Sequence, residues 1–213
     1  MPARPFVLGI AGGSGSGKTT ITASVAERIG GDLDVLQHDA YYRHREDLTY
    51  EERTKVNYDH PDSLETTLLV EHLDGLLAGT TVEVPEYDFS VHLRRTETRS
   101  VAPAPIIVVE GILVLSEPEL RDRMDLMVFV DTDADVRLSR RLQRDVTERG
   151  RTVESVLNQW EETVRPMYMA FVDPSKRHAD LIIQEGYSEE AVSALESVLL
   201  QRILTQRATE VSA

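Results

Sequence analysis

Gly12-Gly13-Ser14-Gly15-Ser16-Gly17-Lys18-Thr19 is the stretch that decides the fold. It satisfies G-x-x-x-x-G-K-[ST] and stands where that pattern has physical meaning. Before it, Phe6 to Ala11 is an apolar run that reads as a buried strand; after it, Ile21, Val25 and Ile29 recur at helical spacing until Gly30-Gly31. Glycines let consecutive backbone N–H groups curl around phosphate oxygens, and the helix N-terminus adds the positive end of its dipole. Lys18 is placed to reach β- and γ-phosphates, and the Thr19 hydroxyl, next to Thr20, to hold Mg²⁺. The loop alone does not separate kinases, GTPases and mechanical ATPases.

Outward from the loop, strand and helix signals alternate. Leu33 to Gln37 reads as a second strand ending in His38-Asp39. Arg43 to Pro61 is polar, a loop with a short helix near Tyr50 to Lys55. Leu64, Leu68, Leu69, Leu73, Leu76 and Leu77 mark an amphipathic helix closed by Gly79, and Thr81 to Val101 alternates weakly as an antiparallel hairpin. Ile106 to Val109 is the most apolar strand and ends in Glu110-Gly111; Leu126 to Val130 ends in Asp131. Asp133 to Glu148 is a charged helix stopped at Gly150. Val153 to about Phe171 is a second long helix, expected to be interrupted at Pro166. Leu181 to Ile183 is a last strand and Glu189 to Gln206 a terminal helix. This order predicts an α/β fold, a P-loop NTPase-type parallel sheet with helices on both faces. One domain is expected over 1–213, with a hairpin insertion at about 80–102 and a helical lid at about 137–160.

Composition narrows the partners. The 213 residues carry 23 Lys and Arg against 37 Asp and Glu, a net charge of −14, which disfavours nucleic-acid backbones and anionic membranes. The chain contains no Cys, which excludes disulfides, thiolate metal sites and Cys nucleophiles. No run of 18 apolar residues exists, and Met-Pro-Ala-Arg-Pro leads into too short an apolar run for a signal peptide, so the expected compartment is the cytoplasm. The six His show no i, i+4 metal-ligand pairing.

In open α/β sheets, ligands sit beyond the carboxyl ends of the strands, where Asp39, Glu110 and Asp131 fall. Glu110 occupies the place of a metal-orienting acid, so Thr19, Glu110 and Asp39 form the candidate Mg²⁺ set. Asp39 could also accept a proton from an attacking hydroxyl. Asp131, just before a helix, is expected to cap it. Arg137 and Arg140 read as a solvated helix face paired with nearby acids, whereas Arg149-Gly150-Arg151 suits a hinged phosphate clamp. Trp160 reads as core or interface.

Taken together these segments resemble the uridine (uridine–cytidine) kinase family. The resemblance runs from about Phe6 to Ile183. It is carried by the phosphate loop, His38-Asp39-Ala40-Tyr41-Tyr42, Asn57-Tyr58-Asp59-His60-Pro61-Asp62, Tyr87-Asp88-Phe89 with His92, and Val109-Glu110-Gly111-Ile112-Leu113. Val130-Asp131-Thr132-Asp133, Arg140-Arg141 with Arg144-Asp145, Glu148-Arg149-Gly150-Arg151, Val164-Arg165-Pro166-Met167 and Pro174-Ser175-Lys176 extend it. It implies phosphoryl transfer from ATP or GTP, with Mg²⁺, to the 5′-hydroxyl of uridine and cytidine, and a homotetramer. It further implies Asp39 as catalytic carboxylate, Tyr42 and Asp59 around the nucleoside with Asp59 on the ribose, and Tyr87, Phe89 and His92 around the pyrimidine. Arg141 and Gln159 would be further nucleoside contacts, and Arg144, Arg149 and Arg151 a lid on the donor phosphates. Two positions depart from the pattern. Gln184-Glu185-Gly186-Tyr187-Ser188 replaces a Gly-Gly-x-Asn-like loop and leaves the donor base open, and Leu93 follows His92 where Thr is common. A kinase of another small alcohol, phosphoribulokinase- or pantothenate kinase-like, and a regulatory NTPase without small acceptor are the competing readings. The aromatic hairpin separates the first reading from both.

Overall fold

A computed structural model of the protein describes residues 4–211; the start of the segment read for a targeting signal lies outside them. The strands are β1 (Phe6–Gly12), β2 (Leu33–Gln37), β3 (Val82–Asp88), β4 (Leu93–Val101), β5 (Ile106–Glu110), β6 (Leu126–Asp131) and β7 (Leu181–Gln184). The principal helices are α1 (Lys18–Ile29), α2 (Thr66–Leu77), α3 (Ala134–Thr147), α4 (Val153–Gln159) and α5 (Glu189–Val211). Five strands form one sheet in the order β2-β5-β1-β6-β7, every pair parallel. The expected fold class is the one observed.

The most apolar strands lie at the centre because only there are both faces covered. Every residue of β1 and β5 is buried. Their alternate side chains feed two cores. Leu8, Ile10, Ile106, Val108 and Val128 meet Ile21 and Val25 of α1 and Leu195 and Leu199 of α5. Val7, Ile107, Val109 and Phe129 meet Leu69, Leu73 and Leu76 of α2 and Tyr41. No helix among the described residues is long and apolar enough to cross a membrane.

β3 and β4 pair antiparallel as a separate two-stranded sheet, irregular between Pro85 and Tyr87. Arginines fasten this hairpin to the turn after β2: Arg94 donates to the Tyr42 carbonyl at 2.7 Å and the Tyr41 carbonyl at 3.0 Å, and pairs with Glu65 at 2.8 Å. Arg99 donates to the Val35 carbonyl at 2.6 Å. The hairpin tip therefore hangs beside the carboxyl end of the sheet.

Three expectations are corrected. Pro166 does not interrupt the helical path, which runs on from α4 through π-turns at Trp160–Val164 and Tyr168–Val172. The Arg165 N–H bonds five residues back to the Trp160 carbonyl. Proline lacks an N–H and clashes with the carbonyl four residues earlier; the widened turn just before it gives that carbonyl room. Asp131 caps no helix. The cap position belongs to Asp133, which makes no side-chain cap bond, and Asp131 instead accepts from Lys176 Nζ at 3.0 Å. Arg137 is not on a solvated face paired with acids, because α3 lays it against the phosphate loop; Arg140 is exposed, as expected, but finds carbonyls in place of acids. Arg137 is buried, 3.8 Å over the Tyr168 ring and 5.4 Å from that of Trp160, and donates to the Thr132 carbonyl at 3.0 Å. Arg140 donates to the carbonyls of Ser16 and Glu185, each at 3.3 Å.

Because β1 carries the loop, its packing sets the stability of the site. Leu8→Ala, at a fully buried position, is expected to lower the unfolding free energy by about 2–5 kcal/mol. Urea titration followed by Trp160 fluorescence checks this, and a cost under about 1 kcal/mol would contradict a close-packed β1.

Candidate active site

β1 stops at Gly12 and α1 starts at Lys18, so the chain must turn back within a few residues. Gly15 and Gly17 do this with φ of 81° and 96°, values that favour glycine. A β-carbon at Gly12 would stand 2.6 Å from the Val130 carbonyl oxygen, and one at Gly15 would overlap the Arg137 carbonyl. Gly17 begins α1 without any side-chain cap bond, and the first N–H groups of a helix have no intrahelical partner. The loop is braced from outside: the Thr132 hydroxyl donates to the Ser16 carbonyl at 3.0 Å, and the Ser16 N–H bonds to the Gly13 carbonyl at 3.0 Å. The result is a cradle of open backbone donors, suited to an anion.

Lys18 Nζ lies 3.3 Å from Glu110 Oε1, and the Thr19 hydroxyl donates to the same oxygen at 3.3 Å. Burial pushes the Glu110 carboxyl up, while the Lys18 ammonium pulls it down. β5 pairs with both β1 and β2, which brings Glu110 beside the turn that carries Asp39. That turn is anchored by His38, fully buried, sharing a 3.1 Å hydrogen bond with the Thr66 hydroxyl; burial pushes its imidazole down to about 4. Asp39 Oδ1 is buried with no hydrogen-bond partner. Asp59 is buried too, and desolvation raises its carboxyl despite Arg141. Among the described residues, no group of three or more His, Asp or Glu is close enough to hold a metal by itself. A hydroxyl and two carboxylates with one orphaned oxygen still fit Mg²⁺, which binds through few protein oxygens and completes its shell with phosphate and water.

On the other side, the aromatic rings close into a wall. Tyr42 stands edge-on to Tyr58 with centroids 5.1 Å apart, and is tilted against Tyr87 at 5.1 Å. Tyr87 meets Phe89 edge-on at 5.2 Å. His92, held at φ 56° at the hairpin tip, stacks on Tyr58 at 5.0 Å and 15°. Burial, with help from Arg151, pushes the His92 imidazole down, which keeps it neutral. Tyr58 had no role in the sequence reading; its only signal there was its place between Asn57 and Asp59.

The end of α3 and the start of α4 roof the cleft with arginines. Arg141 donates to Ser14 Oγ at 2.7 Å and to Gln159 Oε1 at 2.8 Å, and Arg151 donates to the same Gln159 oxygen. Arg149 lies 4.8 Å over the Phe89 ring, joining roof to hairpin. A single cleft of about 450 Å³ is lined by Ser14, Gly15, Gly17, Lys18, Thr19 and Thr20 at one end and by Asp39, Tyr42, Asp59, Tyr87, Phe89 and His92 at the other. Glu110, Arg141, Arg144, Arg149, Arg151 and Gln159 line it between them. Of the anticipated site residues, Gly12, Gly13 and Ser16 stay outside its lining, as backbone supports of the loop. Gln37, Tyr58, Ile112 and Arg140 line it unanticipated.

A phosphate loop on a parallel sheet, facing an acid and an aromatic pocket in one cleft, defines a P-loop phosphotransferase with a small acceptor. Comparison with known proteins narrows the class. The model of the phosphoribulokinase / uridine kinase family matches residues 7–192, and the chain belongs to that family. It is 47% identical over 205 residues to a uridine kinase of Ligilactobacillus salivarius, covering 96% of each chain. It is 53% identical over 188 residues to a uridine kinase of Deinococcus deserti, covering 88% of this chain and 91% of the relative. Among solved structures it is similar to phosphoribulokinase from Rhodobacter spheroides, with a TM-score of 0.63 at 18% identity over 85% of this chain and 70% of that one. A fructose transport system kinase described as putative, from a Silicibacter species, gives a TM-score of 0.66 at 18% identity over 84% and 89%. These two likenesses concern the fold.

Asp59 yields a pH-dependent expectation. A carboxyl raised in the folded state stabilises the fold only while protonated, and that stability is lost as pH rises through its raised value. Asp59→Asn, neutral at every pH, is expected to unfold at higher temperature than the wild type at pH 7.5. The gap should close as pH falls toward the ordinary aspartate range, about 4. Thermal scans across pH check this; a variant less stable at pH 7.5 would contradict it.

Proposed function

We propose that this protein transfers the γ-phosphoryl group of ATP or GTP to the 5′-hydroxyl of uridine and cytidine, giving UMP and CMP. The observation that carries the reading is the single cleft in which the phosphate loop and the aromatic hairpin face the same carboxylate, Asp39, whose Oδ1 is buried without a partner. A flat base with a polar edge suits rings that stack and a neutral imidazole that can donate from one nitrogen and accept at the other. His92 would thereby serve the carbonyl of uridine and the amine of cytidine alike, while a purine exceeds the pocket and leaves polar groups unpaired.

In this reading Asp59 holds the ribose and Tyr42 flanks the nucleoside, with Arg141 and Gln159 beyond them. Asp39 takes the proton of the 5′-hydroxyl as that oxygen forms its bond to the γ-phosphorus. The bond from phosphorus to the bridging oxygen breaks, and the nucleoside diphosphate leaves with the electron pair. Thr19, Glu110 and the second oxygen of Asp39 would hold Mg²⁺, which when bound supplies positive charge to the phosphate oxygens. Lys18 and the backbone of Gly12 to Thr20 neutralise and orient the chain of phosphates; Arg144, Arg149 and Arg151 exclude water and meet the transferring group. Pyrimidine salvage in the cytoplasm, by a homotetramer, completes the reading, and rests on the family resemblance.

The experiment is steady-state kinetics of two variants against both substrates. Asp39→Asn keeps the shape but cannot accept the proton, so it is expected to bind nucleoside and lose roughly 10²–10⁴ in kcat. His92→Ala is expected to raise the nucleoside KM at least tenfold and leave the donor KM within about threefold, a loss typical of one polar contact. A loss in Asp39→Asn below about tenfold would remove Asp39 from the chemistry. An unchanged nucleoside KM in His92→Ala would remove the hairpin from base recognition.

A further inference from the structure

Asp145 has no role in the site described above, yet four guanidiniums converge on it. Its side chain is fully buried. Its Oδ1 accepts from Arg144 Nε at 2.9 Å and from another Arg144 nitrogen at 2.8 Å, and lies 3.5 Å from Arg149. Its Oδ2 lies 3.5 Å from Arg151 and 3.6 Å from Arg141. Its backbone carbonyl also receives the Arg151 N–H at 3.0 Å, across the turn at Gly150 with φ 63°. Among the described residues, no other carboxylate makes an ion pair with any of the four arginines.

We infer that Asp145 is the positioning residue of the phosphate-facing roof: it holds Arg144, Arg149 and Arg151 converged, ready for the donor phosphates, with Arg141 packed against the same carboxylate. The inference rests on the reading above that Arg144, Arg149 and Arg151 meet those phosphates. Four like charges within reach of one another repel, and long arginine side chains left in solvent would spread. One buried carboxylate binding all four, plus a backbone bond that closes the Gly150 turn, fixes the end of α3, the turn and the start of α4 in one geometry. Burial opposes the ionised form of Asp145, but the guanidiniums of Arg144 and Arg141 outweigh it and hold the carboxyl below its ordinary value. The arrangement leaves a surplus of positive charge in a chain whose net charge is −14, directed at the mouth of the phosphate loop.

A carboxylate in this place has a second conceivable effect, opposite in sign. If it only neutralised the arginines, it would compete with phosphate, and its removal would tighten donor binding. The sign of one change therefore decides. In the full-length protein with ATP and uridine, Asp145→Asn is expected to raise the donor KM at least tenfold and to lower kcat. The uridine KM should stay within threefold, because Arg141 keeps Ser14 Oγ and Gln159 Oε1 as partners, a split that general loss of structure would not give. The double variant Asp145→Asn with Arg151→Gln should raise the donor KM by clearly less than the product of the two single effects, since both break one cluster. A donor KM that falls or stays constant in Asp145→Asn, while Arg151→Gln raises it, overturns the inference. An unchanged donor KM in Arg151→Gln overturns instead the assignment of the roof to the donor. Should Asp145→Asn fail to fold, Asp145→Glu keeps the charge but displaces it by one methylene. A raised donor KM in that variant supports the inference, and a wild-type donor KM contradicts it.

Discussion

The backbone between β1 and α1 can close only because no β-carbon stands at Gly12 or Gly15, where one would press on the carbonyls of Val130 and Arg137. Those carbonyls belong to the end of β6 and to α3, so the loop is packed, not free. Everything else in the cleft is arranged against this turn. β1 is the central strand, and its neighbour β5 delivers Glu110 to Lys18 and Thr19. β2, on the far side of β5, delivers the turn that carries Asp39, and the hairpin hangs from that same turn by Arg94. The distance between phosphate cradle and aromatic wall is thus set by strand order in a close-packed sheet, the most rigid element the fold offers.

The chemistry costs stability. Lys18, Glu110, Asp59, Arg137 and Asp145 are all buried charges, and each loses hydration that its partners only partly restore. Burial raises Glu110 and Asp59 and lowers His92. These groups lie together at the carboxyl end of the sheet, while the faces beneath them are ordinary aliphatic packing. Such a division is what a site built for anionic ligands requires: phosphate arriving among surplus cations meets charge that has already lost its hydration.

The strands, their parallel pairing, the hairpin and the phosphate loop were legible in the sequence, since each rests on local signals: apolar runs, strand–helix alternation, glycine spacing, turn residues. The acids at strand ends were legible because the topology fixes where strand ends go. What escaped depends on contacts between distant segments. Arg137 and Arg140 look like any charged helix face until α3 is laid against the loop, where Arg137 finds Tyr168 and Trp160 in place of an acid. Pro166 signals a break, but a π-turn accommodates it without one. Asp131 sits at a plausible cap, yet Lys176, 45 residues later, takes it. Tyr58 lies in a segment without period, and only the fold brings it under His92. Asp145 read as one acid in a mixed-charge helix, and its four partners become visible only once the Gly150 turn returns the chain.

The central claim is that one cleft holds a pyrimidine nucleoside against the phosphate loop, so that phosphoryl transfer needs the acceptor. The most direct measurement is formation of ADP from ATP and Mg²⁺ with uridine, cytidine, adenosine or no nucleoside, with the phosphorylated product identified by its ³¹P resonance. The account expects fast ADP formation matched one to one by 5′-UMP or 5′-CMP, and little ADP with adenosine or with no acceptor. ADP formation at the same rate without nucleoside, or adenosine turnover equal to that of uridine, would contradict it.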